Sequence, residues 1–283
     1  MIDLLFTPQL NMVYMHYIAS RPVNSGTNAP HFVWVVISPD RDTADSLYRI
    51  LHDNQGRSLT VPRVGFESTT LTPTKIERLS PKLWVLQITE SPENVAFLGT
   101  AICPHTSHDV DPAFDQVSGK MFLYSMGNYP DLGAKLLPSA SDIDHDCISG
   151  SSFFIRRRGY PSTYWYCCGN LICLSSTKRS RFIVRIDQSQ SPKVPMVNKD
   201  RVVVEWIDKE GCRAVGLDDE WLSVKARPAS FQLSDFEGRF YLGNEGSLDN
   251  PDPARMGTSL DVVCWSPDVF QDSFELCYGI LDR

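Results

Sequence analysis

Residues 103–111 hold Cys103, His105, His108, Asp109 and Asp111 within nine positions. Thiolate, imidazole and carboxylate groups at this spacing are the donor set of a zinc or other transition-metal site when the loop folds back on itself. A second cluster follows at Asp142, Asp144, His145, Asp146 and Cys147. Its alternating aspartates offer oxygens to a cation, although the Gly and Glu that complete an EF-hand loop are missing. The two clusters contain three of the six histidines in the chain. If loops 103–111 and 142–149 face each other, they build a metal or hydrolytic site. The same residue types are also common in ordinary solvated turns.

A hydrolytic site needs a nucleophile, and Ser149 is the candidate, with His105, His108 or His145 as its base. The run Cys147-Ile148-Ser149-Gly150-Ser151-Ser152 resembles the nucleophile turn of chymotrypsin-like serine proteases. Here Cys147 replaces the turn's glycine and Ser152 its proline. The plainer expectation is a Ser/Gly connector leading into the second half of the chain.

Aromatic residues form a third constellation. Tyr160, Tyr164, Trp165 and Tyr166 lie close together, and Trp206, Trp221, Tyr241 and Trp265 follow. An aromatic ring beside a short acid or amide is the chemistry of sugar recognition: the ring covers the apolar face of the sugar and the polar group takes its hydroxyls. The candidate ligand-binding pairs are Asp218 or Asp219 with Trp221, and Asn250 or Asp252 with Trp265. A basic run, Arg156-Arg157-Arg158 with Lys178, Arg179, Arg181 and Arg185, suits an acidic partner, a phosphorylated ligand or RNA, or else the charged outer face of a hairpin.

Other classes are excluded or unsupported. The chain has 283 residues, 42% hydrophobic and 22% charged, enough for one large or two ordinary packed domains. A net charge of −7 argues against a general nucleic-acid binder. No apolar run is long enough to span a membrane. The first residues, without a basic start, do not read as a secretory signal, so the eight cysteines are expected as reduced thiols in the cytoplasm. P-loop, Gly-x-Gly-x-x-Gly, His-Glu-x-x-His and Cys-x-x-Cys motifs are missing.

Hydrophobic patterning predicts the elements that position these groups. Strands are expected at 11–19, 31–38, 58–64, 82–88, 94–102 and 120–125. One helix, capped near Asp42-Thr43, carries Leu47, Tyr48, Ile50 and Leu51 and stops at 53–56. Segments 105–118 and 127–146 read as loops. From Ser149 onward the pattern is wholly short strands and turns. Ser180-Arg181-Phe182-Ile183-Val184, Ser230-Phe231-Gln232-Leu233 and Ser273-Phe274-Glu275-Leu276 recur, with phenylalanines 49 and 43 residues apart.

Three such units of roughly 45 residues, none able to bury its own apolar face, indicate a repeat architecture. Residues 148–283 in this respect resemble the β-trefoil family, as found in ricin-B-like lectins and fascin-like proteins, without the ricin-type Gln-x-Trp signature. The expected fold is therefore mainly β: an α+β domain over 1–147, then a β-trefoil-like domain over 148–283. The resemblance implies a soluble, lectin-like binding protein with a carbohydrate or protein ligand. No cofactor is expected, a divalent metal being the only one the residue types would admit. The alternatives are a hydrolase built on the two His/Asp loops and a protein-interaction scaffold.

Overall fold

The computed structural model describes residues 13–22, 32–63, 68–103, 110–126, 146–187, 193–244, 261–268 and 272–278. The chain is mainly β and divides into two compact units, Met1–Asp146 and Cys147–Arg283. Among the described residues no helix is long and apolar enough to cross a membrane.

The first unit runs β1 (Tyr14–Pro22), β2 (Phe32–Ser38), α1 (Arg41–Asp53), β3 (Leu59–Val61), β4 (Thr69–Leu71), β5 (Pro73–Ser80), β6 (Leu83–Ile88), α2 (Ala96–Ile102) and β7 (Phe122–Ser125). Five strands form one sheet in the order β5-β6-β1-β2-β7, with β1 and β6 parallel and the other neighbours antiparallel. Ile18, Trp34, Val36, Trp84 and Leu86 point to one face and pack against Ala44, Leu47, Tyr48 and Leu51. The helix is thus held by the apolar spacing that predicted it. Its cap is Asp40, two residues earlier than expected, whose carboxylate accepts the Thr43 amide at 2.7 Å.

Segment 94–102, expected as a strand, is a short 3-10 turn (Pro92–Val95) running into α2. Pro92 opens the turn, and Val95, Leu98 and Ile102 recur at helical spacing as the buried positions. A continuous apolar run hid that period.

A buried polar network fixes this sheet to its helix. Arg78 on β5, only 6% exposed at its side chain, donates to Asp45 of α1 at 2.7 Å and to both oxygens of Asp146 at 2.6 and 2.8 Å. Arg41 closes the ring of charges by donating to Asp146 at 2.7 Å. The Arg78 guanidinium also lies 5.2 Å from the Tyr48 ring and 5.5 Å from the Trp84 ring. Beside it His16 of β1 is fully buried, 4.1 Å from the Trp84 ring, and neither ring nitrogen has a hydrogen-bond partner among the described residues.

The second unit runs β8 (Ser151–Arg157), β9 (Tyr164–Cys168), β10 (Leu171–Ser175), β11 (Phe182–Ile186), β12 (Arg201–Ile207), β13 (Cys212–Ala214), β14 (Gly216–Asp218), β15 (Trp221–Ser223), β16 (Ser230–Gln232), β17 (Phe240–Asn244), β18 (Asp261–Trp265) and β19 (Phe274–Cys277). Hairpins join β9 to β10, β14 to β15 and β17 to β18. One strand from each hairpin pairs with the other two: Leu171 with Ser223, Cys173 with Val262, and Trp221 with Cys264. Beyond the hairpins β8 pairs β11, β11 pairs β12 and β12 pairs β16, while β19 returns to β8.

Phe182, Phe231 and Phe274 stand on β11, β16 and β19 and are 0%, 3% and 1% exposed within one apolar cluster. Period-two alternation explains the inward set, including Phe153 and Ile155 on β8 and Trp165 on β9, and it turns Phe154, Tyr164 and Tyr166 outward.

The buried histidine gives the first unit a distinctive acid response. Burial, and secondarily the Arg78 charge, push its pKa from 6.5 to about 3. Above pH 6.5 both folded and unfolded chains carry neutral imidazole and His16 adds no pH dependence. Between pH 6.5 and about 3 only the unfolded chain takes the proton, so stability falls as pH falls, by about 1.4 kcal/mol per unit. Amide exchange at Ile18 and Val36, corrected for intrinsic rates, should show this slope in the native chain. It should be absent from His16→Phe, with the contribution of Asp45 common to both. Equal slopes would refute the assignment.

Candidate functional site

The expected site residues that the structure draws together lie on the β14–β15 hairpin. The register places Gly216 opposite Ser223, Leu217 opposite Leu222, and Asp218 opposite Trp221. Directly opposed residues share a face of the ribbon. Leu222 is fully buried and Leu217 packs beside it, so the Leu pair anchors the hairpin to the core. Asp218 and Trp221 are thereby turned to the other side, with Asp218 exposed and Trp221 half-buried.

The two-residue turn is Asp219-Glu220, and Asp219 has φ of 55°. It is the single non-glycine residue in the left-handed region among the described residues. Aspartate tolerates that region better than most side chains, yet glycine would occupy it at lower cost.

Neighbouring strands complete the surroundings. The indole of Trp221 lies against Gly243 of β17, where a Cβ would sit 3.3 Å from its Cη2 and 2.8 Å from the Cys264 sulfur. Glycine is required there to let the ring lie close to the strand. The Tyr241 hydroxyl donates to Glu220, and burial together with that carboxylate raises its pKa. Cys264, 2% exposed beneath them, has its thiol pushed up to about 11 by burial, so it stays protonated and unreactive. The assembled group is an indole, three carboxylates and a phenol. It offers the apolar area of the indole, the carboxylate acceptors of Asp218 and Asp219 and the indole N–H, the Tyr241 hydroxyl being engaged with Glu220.

The other expected residues are dispersed. Trp265 is half-buried, donates its indole N–H to Asp235 at 3.1 Å and packs against Phe231 at 6.3 Å, so it braces the core. Asn250 and Asp252 lie outside the described residues. So do His105, His108, Asp109, Asp142, Asp144 and His145. Among the described residues no group of three potential ligands gathers for a metal.

Asp111 is engaged structurally: it accepts the Arg57 guanidinium at 3.1 Å and the Ala113 amide at 3.0 Å. Cys103 ends α2, with its amide on the Gly99 carbonyl. Ser149 is 2% exposed and its hydroxyl accepts the Ile186 amide at 3.0 Å, which fastens the entry to β8 instead of presenting a nucleophile to solvent. Arg156, Arg157 and Arg158 are paired with Glu275, Asp272 and Glu237.

Sequence reasoning reached Asp218, Asp219 and Trp221, named Tyr241 among the aromatic residues without joining it to them, and missed Glu220 and Gly243. A glycine inside a strand pattern was the available signal for Gly243.

Two substitutions separate shape from chemistry here. Gly243→Ala should drive the indole off β17 and cost about 1–3 kcal/mol by overpacking, with a shift in tryptophan fluorescence. Asp219→Gly should leave stability unchanged or raise it by about 1 kcal/mol; a loss of that size in thermal melts would mean that the aspartate holds the turn itself. The sequence matches no protein-family model and no curated protein, so the functional reading rests on this geometry.

Proposed function

We propose that this is a lectin-like binding protein whose second unit is a β-trefoil and whose β14–β15 hairpin takes a neutral saccharide. The observation that carries the reading is the cross-strand pair of Asp218 and Trp221, held on the outward side of a hairpin whose turn keeps Asp219 in a left-handed conformation. A sugar's apolar face would cover the exposed part of the indole, while Asp218 and Asp219 accept its hydroxyls. Three adjacent carboxylates disfavour uronic or sulfated sugars, which supports an uncharged class.

The trefoil reading is supported by the three mutually paired hairpin strands, by the return of β19 to β8, and by the burial of Phe182, Phe231 and Phe274 in one core. A binding role is favoured over hydrolysis by the engagement of the Ser149 hydroxyl within the fold. We infer a cytoplasmic location, in keeping with eight cysteines that are present as thiols and not as disulfides.

Titration with galactose, N-acetylglucosamine and their disaccharides, followed by tryptophan fluorescence, tests this. Shallow sites of this kind hold sugars near millimolar Kd, about 4 kcal/mol. Trp221→Ala and Asp218→Asn should each weaken binding by about tenfold, near 1.4 kcal/mol. Trp265→Ala should instead lower the melting temperature and leave affinity in place. Absence of binding across a neutral glycan array, or undiminished binding by Trp221→Ala, rejects the proposal.

A further inference from the structure

We propose that the sheet face of the first unit turned away from α1 is where two copies of this chain meet. The register builds that face. Met15 of β1 lies opposite Ile37 of β2, which lies opposite Phe122 of β7; Tyr17, Val35 and Tyr124 make the next row in the same way. Opposed residues share a face, and the alternate set, Ile18, Trp34, Val36 and Leu123, packs into the core. Two rows of three side chains, none of them charged, therefore cross three strands on the other side.

These rows are open. Six large hydrophobic side chains are exposed among the described residues, and four of them gather here: Val13 at 58%, Met15 at 52%, Phe122 at 45% and Tyr124 at 57%. Val13 continues the line of Met15 at the strand's period of two. Tyr17, Val35 and Ile37 between them are half-buried. The row after these, Ala19 with Val33, is buried and bounds the patch on that side. Toward β5 the same face turns polar, with Lys75 opposite Gln87 and paired with Glu77. An apolar centre beside a charged margin is the anatomy of an interface.

The size of the patch and its lack of charge select the occupant. An aromatic side chain offers roughly 150–250 Å², so the exposed parts of Phe122 and Tyr124 come to about 200 Å² and the whole patch to about 400 Å². Two such patches face to face remove about 800 Å² from water, and their margins raise the total to the ~1,000 Å² at which specific pairing begins. A twofold axis along β2 lays the faces together as aligned sheets. It sets Met15 on the second copy's Phe122, Ile37 on its own counterpart and Tyr17 on the second copy's Tyr124. Methionine sulfur against an aromatic ring is a favourable contact. No charged side chain of these rows faces another, so chains of net charge −7 meet where they repel least. A single extended peptide would cover one row and leave the other wet. An anionic bilayer would repel the net charge.

Sedimentation velocity on the full chain, from about 1 to 200 µM, should show a monomer–dimer equilibrium with Kd near ~10 µM. Phe122→Lys and Met15→Glu should each weaken pairing by about tenfold or more, with thermal melting unchanged because both side chains already stand in water. An equimolar mixture of these two variants should recover dimers, since the axis brings the two substituted positions together with opposite charges. Higher salt should tighten the native dimer by screening its net charge. Tyr160→Lys, at the exposed aromatic of the second unit, should change nothing. Trp221→Ala should also leave pairing intact, so this contact and the saccharide hairpin stand or fail separately. A native chain that stays monomeric over the whole range, a dimer untouched by Phe122→Lys, variants that do not recover on mixing, loosening by salt, or preferential capture of the native chain by lipid vesicles or by an apolar extended peptide would overturn the proposal.

Discussion

The second unit depends on one residue finding four partners. Trp165 of β9 is fully buried, and its ring lies 5.2 Å from Phe240, 5.6 Å from Phe274, 5.7 Å from Phe236 and 5.8 Å from Phe182. Three of these contacts are edge-on and one is stacked, arrangements that the ring quadrupole favours. The partners come from β11, β17, β19 and the 3-10 turn at 233–237, so a single side chain ties together segments spread over more than a hundred residues. Everything outward of it follows by alternation. With Trp165 inside, Tyr164 and Tyr166 must face out.

The first unit is organised around a charge instead of a ring. Arg78 joins β5 to α1 through Asp45, and both to Asp146, at the cost of burying an ion network. Such networks add less stability than their short distances suggest, because each charge gives up its water. What this one adds is definition, since a guanidinium with two carboxylate partners and two ring faces admits few alternative packings. The unpaired His16 beside it shows how closely the polar and apolar demands of this core are pressed together.

How much of this was legible in the sequence depended on the separation of the partners. The helix around Leu47 and Leu51 and the recurring Phe182, Phe231 and Phe274 could be read because their signals are periodic and local. β5 passed unnoticed because Lys75, Glu77 and Arg78 interrupt any apolar alternation. α2 was mistaken because Val95 to Leu98 is continuously apolar, or nearly so, and period cannot be counted in such a run. At the site, Asp218 and Trp221 are neighbours in sequence and were found together. Tyr241 and Gly243 reach them only through β18, by a register that no local pattern encodes. The Arg78 network was invisible for the same reason: Arg41, Asp45, Arg78 and Asp146 meet across 105 positions.

The pairing of β19 with β8 has a consequence for how the protein is born. Phe274 to Cys277 register against Phe154 to Arg157, so one wall of the second unit is built from strands separated by nearly its whole length. A chain emerging from the ribosome presents β8 long before β19 exists. During that interval one edge of β8 stands open, and the Trp165 hub lacks Phe274, the last partner to be synthesised. Closure is a late event dominated by sequence-distant contacts, the circumstance in which folding is slow and an unfilled edge is exposed to other nascent chains. The four residues of β19 act as a latch, and the time spent waiting for them is when this protein is most in need of a chaperone.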